Sequence, residues 1–411
     1  MNSVYDVLKE RGFIEGVSDE DGIRTVVASQ QIRCYIGFDP TARSLHIGSL
    51  VPIMSLVHMQ RADHQPIALV GGGTGLIGDP SGKKEMRKPL STAEVRDNAQ
   101  ALKKQLSQYL DFRDDKAFLL NNADWLSQLN YIEFLRDIGR HFSVNRMLAA
   151  EAYRARLKTG LNFVEFNYML LQAYDFLHLF REYGCCLQMG GSDQWGNIVA
   201  GVDLIRRVEE KVAYGMVFPL ITTAGGEKMG KTAQGAIWLD PELTTPYEYY
   251  QYWINTDDRD VERFLALFTL LPMEEVRKYG QLTGADLRAA KEILAFEATK
   301  ITHGVREAKS AQEASRRAFG GEKADLQGIP TSYVARQVFQ NGIAVFELFA
   351  DIGLCASRAE ARRLIEQGGG YVNGRRLPAF DEQITDDDLQ EGAIVLRAGK
   401  KRYHRVVVQE R

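Results

Sequence analysis

The chain has 411 residues, of which 45% are hydrophobic and 26% charged, the composition of an ordinary globular protein with two or three domains. Its formal net charge of −3 excludes a general attraction to polyanions, so any contact with nucleic acid needs a local basic patch. No apolar run is long enough to span a bilayer, and four cysteines without metal-ligand spacing indicate free thiols in a reducing, cytoplasmic compartment.

Strands and helices alternate through the first half of the chain. Residues 3–30 predict two short polar helices, without the apolar core of a signal peptide. Apolar strands are predicted at residues 34–38, 66–70, 117–121 and 186–189. Helices are predicted over about 46–61, 93–110, the stretch to 147, 163–183 and from 193. This alternation predicts an α/β fold with a parallel sheet covered by helices.

The second half changes character. After Trp238 the pattern is helical to about residue 319, and a segment with glycines, charges and a proline follows. A compact unit with both helical and strand patterns begins near Ile343. We therefore predict a Rossmann-like catalytic domain over 1–240, an α-helical domain over 241–320, a linker over 321–342 and a small α+β domain over 343–411.

The first candidate site is the stretch His46-Ile47-Gly48, where a helix begins after the strand at 34–38. A strand, a turn and a helix start present backbone N–H groups and the positive end of a helix dipole to an anion. His46 can add a donor to a phosphate, and Gly48 lets a flat ring approach the backbone. Taken alone, the pattern also fits a core histidine beside a packing glycine.

A second motif, Gly226-Glu-Lys-Met-Gly-Lys-Thr232, places two lysines in a loop with glycines. Together the two motifs resemble the signatures of class I aminoacyl-tRNA synthetases, H-I-G-H and K-M-S-K-S. The chain departs from them at Ser49, Gly230 and Thr232, where the consensus has a histidine and two serines. The first histidine, the glycine and both lysines remain. The resemblance therefore implies that the two motifs bind the phosphates of ATP.

A glycine-rich segment runs from Gly73 to Lys84 after the strand at 66–70. It matches G-x-G-x-x-G, but no acidic residue closes a second strand at the distance that a dinucleotide site requires. A P-loop also fails, because the glycine spacing is one residue short and no Ser or Thr follows Lys83. The segment resembles one that is specific to bacterial-type tyrosyl-tRNA synthetases, and so do residues 163–176 and 188–197. The resemblance covers nearly the whole chain.

Three polar residues share one face of the predicted helix 163–183. Tyr168, Gln172 and Asp175 stand at i, i+4 and i+7, among apolar neighbours that argue against a solvated stripe. The resemblance implies that this face binds the substrate tyrosine. The implied tyrosine-binding residues are Asp79, Tyr168 and Gln172 at the ammonium group, with Gln194 nearby, and Tyr35 and Asp175 at the phenol oxygen.

The resemblance also implies an ATP site. Its residues would be Gly37, Asp39, Thr41, His46, Gly48, Asp193, Lys228 and Lys231. The catalytic set would be His46 and Thr232 with Lys83, Arg87, Lys228 and Lys231 around the pyrophosphate, and Thr74 and Asn122 are further candidates with family precedent. No side chain is needed as a nucleophile, because the carboxylate of the amino acid attacks the α-phosphorus, so catalysis rests on positioning and charge. Magnesium would arrive with ATP, and neither a protein metal site nor a bound prosthetic group is expected.

The last unit combines a capped helix with a turn. Ser357 and Glu360 predict a capping box, and Asn373-Gly374 predicts a turn. The unit resembles a small RNA-binding module that is shared with a ribosomal small-subunit protein. The implied RNA-binding residues are Arg358, Arg362, Arg363, Arg375, Arg376, Lys400, Lys401 and Arg402. By charge alone, these clusters also fit a solvated surface.

The resemblance implies an enzyme that activates L-tyrosine with ATP to tyrosyl-adenylate and transfers tyrosine to the 3′ end of its tRNA, as a cytoplasmic homodimer. Three alternatives stay open at this point. A tryptophanyl-tRNA synthetase would share class and fold, although Tyr35 and Asp175 favour tyrosine. A nicotinamide-dependent oxidoreductase would leave the two lysines of the second motif without a role. A purely RNA-binding protein would leave the polar helix face unexplained.

Overall fold

The computed structural model describes residues 3–81, 90–226, 229–232, 235–284, 286–320, 330–390, 392–399 and 402–409. The chain forms two compact units. One consists of Met1–Leu243 and Asn255–Thr302, and the other of Thr244–Ile254 and His303–Arg411.

The α-helices and β-strands are numbered in chain order. The helices are α1 Val4–Glu10, α2 Glu20–Ser29, α3 Leu50–Arg61, α4 Thr92–Leu106, α5 Ala123–Leu126, α6 Tyr131–Asp137, α7 Val144–Ala149, α8 Glu151–Leu157, α9 Phe163–Tyr183, α10 Trp195–Glu209, α11 Pro246–Ile254, α12 Val261–Phe268, α13 Met273–Gly280, α14 Leu287–His303, α15 Val305–Gly320, α16 Arg336–Gln340, α17 Val345–Asp351 and α18 Arg358–Glu366. The strands are β1 Gly16–Val17, β2 Arg33–Phe38, β3 Gln65–Val70, β4 Phe118–Asn121, β5 Cys185–Gly191, β6 Tyr214–Phe218, β7 Lys231–Thr232, β8 Gly235–Ala236, β9 Thr331–Ala335, β10 Ile343–Ala344, β11 Gly370–Val372, β12 Arg375–Arg376, β13 Gln383–Ile384, β14 Ala393–Ala398 and β15 Arg402–Gln409.

The first unit is built on a six-stranded sheet in the order β1-β6-β5-β2-β3-β4. Strands β6, β5, β2, β3 and β4 run parallel, and β1 pairs antiparallel with β6 at the edge. The predicted α/β fold with a parallel sheet is therefore confirmed. The order reverses at β2, because the chain first continues to β3 and β4 on one side and later returns to β5 and β6 on the other. Ligands of open parallel sheets bind outside the carboxyl ends of the strands at such a point.

Local signals explain where the principal helix, α9, starts and stops. The Asn162 side chain accepts from the Glu165 N–H, and the Glu165 carboxylate accepts in return from the Asn162 N–H. At the other end Gly184 adopts φ +62°, the left-handed conformation that ends many helices. The predicted range of 163–183 is confirmed to the residue.

Two strands of the six-stranded sheet were not predicted from the sequence. Strand β1 has only two residues, too few for an alternating pattern. Strand β6 is a short apolar run that follows the helix α10 in the sequence. Both lie at one edge of the sheet, where Gly16 pairs with Val217. Tertiary pairing, rather than a local pattern, selects these residues as strands.

The second unit contains a five-stranded sheet in the order β12-β11-β14-β15-β9. Its apolar core comes from α16, α17, α18 and the strands, with Phe339, Phe349 and Val406 fully buried. Strand β9 pairs parallel with β15 and lies inside the range predicted as a linker. The folded last module therefore includes Thr331–Ala335, whereas residues 321–329 lie outside the described part of the chain.

Two predictions from composition can be compared with the structure. Cys34, Cys185, Cys186 and Cys355 are free thiols, as predicted. None of the described helices has both the length and the apolar character that crossing a membrane requires.

Candidate active site

A cavity of about 180 Å³ opens between the carboxyl-terminal halves of β2 and β5, where the strand order reverses. All six residues predicted to bind tyrosine line it, together with two predicted ATP residues. They are Tyr35, Gly37, Asp39, Asp79, Tyr168, Gln172, Asp175 and Gln194. The tertiary fold therefore brings together residues from four separate parts of the sequence.

One end of the cavity holds a buried carboxylate. Asp175 is only 2% exposed, and it accepts hydrogen bonds from Asn122 Nδ2 at 2.8 Å and from Trp125 Nε1 at 2.7 Å. Burial raises the pKa of Asp175 to about 7, and the two donors oppose this by favouring the ionised form. Asn122 is itself fixed, because it donates to Thr74 Oγ1 at 2.9 Å and accepts from the Gly73 N–H at 2.8 Å.

A tyrosine hydroxyl lies near the same end. Tyr35 is 1% exposed, and its hydroxyl has no hydrogen-bond partner within the described residues. Its ring packs at a tilt against Phe176, with the centroids 5.4 Å apart. Burial raises the pKa of Tyr35 well above its ordinary value, so the group is a neutral donor. An unpaired hydroxyl and a carboxylate together suit a ligand that carries one hydroxyl group.

The other end of the cavity contains a second buried carboxyl group, that of Asp79. Asp79 accepts from Gln194 Nε2 at 2.6 Å and from the Ser81 N–H at 2.9 Å. Burial, reinforced by the charge of Asp39, raises the pKa of Asp79 to about 6. The Tyr168 hydroxyl donates to Asp39 Oδ1 at 3.4 Å. Two carboxylates close together favour a cation, and a primary ammonium group is a small cation with three donors.

Buried polar contacts hold the first turns of α9, which carries Tyr168. The Tyr153 hydroxyl donates to the Phe166 carbonyl at 2.9 Å and accepts from the Met169 N–H at 3.3 Å, on either side of Tyr168 in the sequence. Arg156 and Glu165 form an ion pair of 3.0 Å, with side chains only 3% and 4% exposed. These contacts determine the direction in which the polar face of α9 meets the cavity.

The two signature motifs lie against each other. The Ile47 N–H donates to the Ile237 carbonyl at 2.9 Å, and the Ile237 N–H donates to the Gly230 carbonyl at 3.1 Å. Gly230 has φ +85°, and a Cβ atom there would lie 2.8 Å from Ile47 Cγ2. A serine at position 230, as in the consensus, would be strained in this conformation.

The same arrangement determines which nitrogen of His46 carries the proton. His46 Nδ1 accepts from the Gly48 N–H at 3.0 Å at the start of the short 3-10 turn Ile47–Ser49. In the neutral ring the proton is therefore on Nε2, which can donate to a phosphate oxygen.

Several predicted residues are not part of the cavity lining. Thr41, His46, Gly48 and Asp193 lie outside it, although Asp193 directly follows the lining strand β5. Lys231 and Thr232 form β7, and only their backbone is described. Lys83, Arg87 and Lys228 lie outside the described residues.

The predicted RNA-binding arginines lie on the second unit, and several contact neighbours. Arg358 pairs with Glu347 at 3.0 Å, Arg375 with Glu382 at 2.5 Å and Arg402 with Glu360 at 3.4 Å. The Arg362 guanidinium lies 4.2 Å from the centre of the Phe346 ring, and Arg363 and Arg376 are exposed. Lys400 and Lys401 lie outside the described residues. Exposed ion pairs are weak, so a phosphate can replace the carboxylate partner.

The structure also shows functional candidates that sequence reasoning missed. Trp125 and Gln188 line or support the cavity, and Asn197 donates to Gln194 Oε1 at 3.1 Å. Trp125 lies fifty positions before Asp175. No local pattern connects residues at that separation, so no sequence signal could have found the contact.

Comparisons with known proteins agree across the chain. Residues 28–320 match a family model described as tRNA synthetases class I (W and Y), and residues 323–406 match one for the tyrosine--tRNA ligase SYY-like C-terminal domain. The tyrosine--tRNA ligases of Desulfatibacillum aliphaticivorans and Syntrophus aciditrophicus are each 59% identical, over all of this chain and 99% and 100% of their own lengths. A C-terminally truncated mitochondrial tyrosyl-tRNA synthetase of Aspergillus nidulans superimposes with a TM-score of 0.70 at 31% identity, covering 77% of this chain and 94% of its own.

Trp125→Phe tests the electrostatics at the Asp175 end of the cavity. The variant removes an N–H that favours the ionised carboxylate, so the pKa of Asp175 should rise above about 7. A ligand hydroxyl donates to the ionised form, so tyrosine affinity should fall as the pH drops through this pKa. We expect the midpoint to shift upward by about one pH unit, measured by calorimetric titration with tyrosine between pH 5.5 and 8.5. A midpoint unchanged from that of the parent would show that the Trp125 N–H does not control the ionisation of Asp175.

Proposed function

The chain belongs to the class I tyrosyl-tRNA synthetases, which activate tyrosine with ATP and charge tRNA with it, and we propose that the cavity between β2 and β5 is its tyrosine site. The observation that carries the assignment is Asp175, a buried carboxylate held by Asn122 and Trp125 in a cavity that also contains the unpaired Tyr35 hydroxyl. Tyrosine places its phenol at this end and its ammonium group near Asp79.

The chemistry is two successive displacements. An oxygen of the tyrosine carboxylate attacks the α-phosphorus of ATP, the bond to the β-phosphate breaks, and pyrophosphate leaves. A ribose hydroxyl at the 3′ end of the tRNA then attacks the activated carbonyl, and AMP leaves. Neither step needs a nucleophile from the protein, so the side chains act by holding the reactants in line and by stabilising charge.

In the proposed arrangement, each side chain has one task. Asp79, Tyr168 and Gln172 hold the ammonium group, with Gln194 bonded to Asp79. His46 Nε2 donates to a phosphate oxygen, beside Gly37, Asp39, Thr41, Gly48 and Asp193 around the ATP. Lys83, Arg87, Lys228 and Lys231 neutralise the charge of the pyrophosphate as it separates, and Thr232 belongs to the same catalytic loop. Magnesium enters with ATP and adds charge at the same place.

Discrimination against phenylalanine follows from burial. A ligand without the hydroxyl leaves the Asp175 carboxylate and the Tyr35 hydroxyl facing an apolar ring, and unpaired buried polar groups are costly. The cavity therefore rejects phenylalanine because this ligand leaves two polar groups of the protein without a partner, and not because of the size of the ligand.

Asp175→Ala tests this assignment. Removing the acceptor should lower kcat/KM for tyrosine about 100-fold, since a hydrogen bond to a buried charge is worth about 1.5–3 kcal/mol. The rate with phenylalanine should change much less, so discrimination narrows. ATP–pyrophosphate exchange with each amino acid measures both. Asp124→Ala, an exposed aspartate close in sequence to Trp125, is the matched control and should behave as the parent does. If Asp175→Ala rejects phenylalanine as well as the parent, the pocket assignment is wrong.

We further propose the domain organisation expected from the sequence, with a catalytic part to about residue 240, helices to about 320 and a C-terminal RNA-binding module. The separate family match over 323–406 and the separate apolar core of the last module support this division. The exposed arginines of α18 and β12 supply the phosphate contacts.

A chain that stops before Pro330 tests the role of the module, since it lacks β9 and every later strand. Tyrosine-dependent pyrophosphate exchange should stay within about twofold of the parent, whereas transfer to tRNA should fall at least about tenfold. Phosphate contacts make RNA affinity fall with salt, so tRNA affinity should depend less on salt in the shortened chain. Both activities are measured on one preparation. Equal charging of tRNA at matched salt would show that the module does not bind RNA.

A homodimer in the cytoplasm completes the proposal. Large apolar side chains are exposed on α6, α7 and the start of α9, which an interface would cover. They include Ile132 at 70%, Phe163 at 67%, Tyr131 and Val144 at 56% and Val164 at 48% exposure.

Phe163→Asp should therefore convert the dimer into a monomer at micromolar concentration, because a charge in an apolar interface is costly. Sedimentation velocity measures the change. Val212→Asp is the matched control, since Val212 is equally exposed at 67% but lies outside these helices. A parent that sediments as a monomer, or a Phe163→Asp variant that remains a dimer, would overturn this part of the proposal.

A further inference from the structure

Gln188 carries a buried amide oxygen that has no hydrogen-bond partner among the described residues. It lies in the middle of β5, its side chain is part of the cavity lining, and the residue is 2% exposed. Its Oε1 is completely buried and has no partner within the described residues. An amide in this state opposes folding, and an apolar side chain of the same shape would not. Its presence therefore indicates a task in the site.

The sheet places Gln188 beside Tyr35. The two residues are register partners on the adjacent parallel strands β5 and β2, whose backbones lie about 4.8 Å apart, so their side chains lie on the same face of the sheet. Both line the cavity, and both have a buried polar atom for which the described part of the chain offers no partner. No other residue pair in the described cavity lining combines these features.

The orientation of the amide follows from the helix above it. A Cβ atom on Gly201 of α10 would lie 3.3 Å from Gln188 Oε1 and 2.9 Å from Phe176 Cδ1, so the missing side chain of Gly201 makes room for the amide oxygen. With Oε1 against α10, Nε2 is the amide atom that is left to face the cavity.

The remaining polar groups at this end of the cavity are already paired. Asn122 bonds to Asp175, Thr74 and Gly73, and Trp125 bonds to Asp175. Among the described residues that line the cavity, the groups left without a partner are the Tyr35 hydroxyl and the Gln188 amide oxygen. A phenol hydroxyl that donates to Asp175 still has lone pairs, and these require a donor.

We propose that Gln188 is a positioning residue for tyrosine selection: when tyrosine occupies the cavity, Gln188 Nε2 donates to the Tyr35 oxygen, so that the Tyr35 proton points at the substrate phenol. The hydrogen bonds then run in one direction, from Gln188 to Tyr35, from Tyr35 to the phenol and from the phenol to Asp175. Each bond polarises the next one, so the chain strengthens as a whole. Without Gln188 the Tyr35 hydroxyl can rotate, and its proton is no longer held towards the ligand. The proposal rests on the tyrosine site assigned above.

The test is a double-mutant cycle with two amino acids. Gln188→Met keeps the approximate shape and removes the donor, and we expect kcat/KM for tyrosine in ATP–pyrophosphate exchange to fall about 5- to 10-fold with phenylalanine unchanged. In a Tyr35→Phe background the same change should have no further effect on the tyrosine-to-phenylalanine ratio, because Gln188 acts through the missing hydroxyl. Gln188→Glu should lower the ratio at least as much, since a carboxylate accepts the Tyr35 proton and turns it away from the substrate.

Other outcomes decide against the proposal. Equal losses with tyrosine and phenylalanine would mean that Gln188 only supports the cavity wall. An undiminished effect in the Tyr35→Phe background would mean that it does not act through Tyr35. Gln60→Met removes a half-buried amide that bonds Asp111 outside the cavity, and it should leave the ratio unchanged. If Gln188→Met does not fold, the tyrosine-to-phenylalanine ratio of Gln188→Glu tests the proposal instead.

The same measurements separate this inference from the function it rests on. If Asp175→Ala leaves discrimination intact, the tyrosine site itself is misplaced. If Asp175→Ala narrows discrimination and Gln188→Met does not, the site stands and the role of Gln188 is refuted.

Discussion

The burial of one carboxylate is the constraint on which the active-site half of the structure depends. A charge that is 2% exposed is costly unless donors satisfy it, and here the donors come from outside the helix that carries Asp175. Asn122 follows β4, and Trp125 belongs to the short helix α5. Trp125 also stacks on His178 with ring centres 4.3 Å apart, which fixes α5 against α9. The glycine-rich segment after β3 is drawn into the same network through Thr74 and Gly73. The hydrogen bonds that satisfy this one buried carboxylate therefore connect four segments of the chain.

Burial has the same electrostatic effect at the two ends of the cavity, although the ligand groups that suit the two ends differ. At both ends burial raises the pKa of an aspartate, to about 7 at Asp175 and to about 6 at Asp79. A ligand hydroxyl would donate a hydrogen bond to Asp175, and a ligand ammonium group would donate to Asp79 and offset its charge. An amino acid with a phenol side chain carries both groups. The reversal of strand order at β2 makes room for this arrangement, because neighbouring strands there send their connections to opposite sides of the sheet.

The departures from the class signatures fit the local geometry. Gly230 occupies a left-handed conformation against Ile47, so a residue without a side chain suits the contact between the two motifs. His46 presents Nε2 because Nδ1 is used by the turn that follows. The proposed phosphate contact of the first motif therefore uses one oriented imidazole and the backbone, with Ser49 at the consensus position of a second histidine.

Sequence alone was sufficient wherever the relevant order is local. The helical period placed Tyr168, Gln172 and Asp175 on one face, capping residues defined the ends of α9, and short apolar runs located β2, β3, β4 and β5. Tertiary structure alone decided that Trp125 and Asn122 meet Asp175, that Gln188 lies beside Tyr35, and that Tyr153 holds the backbone around Tyr168. These contacts join positions that no periodicity relates, because sheet register and helix packing set them only once the whole core has formed. The same reason explains why the two-residue edge strand β1 had no signal of its own.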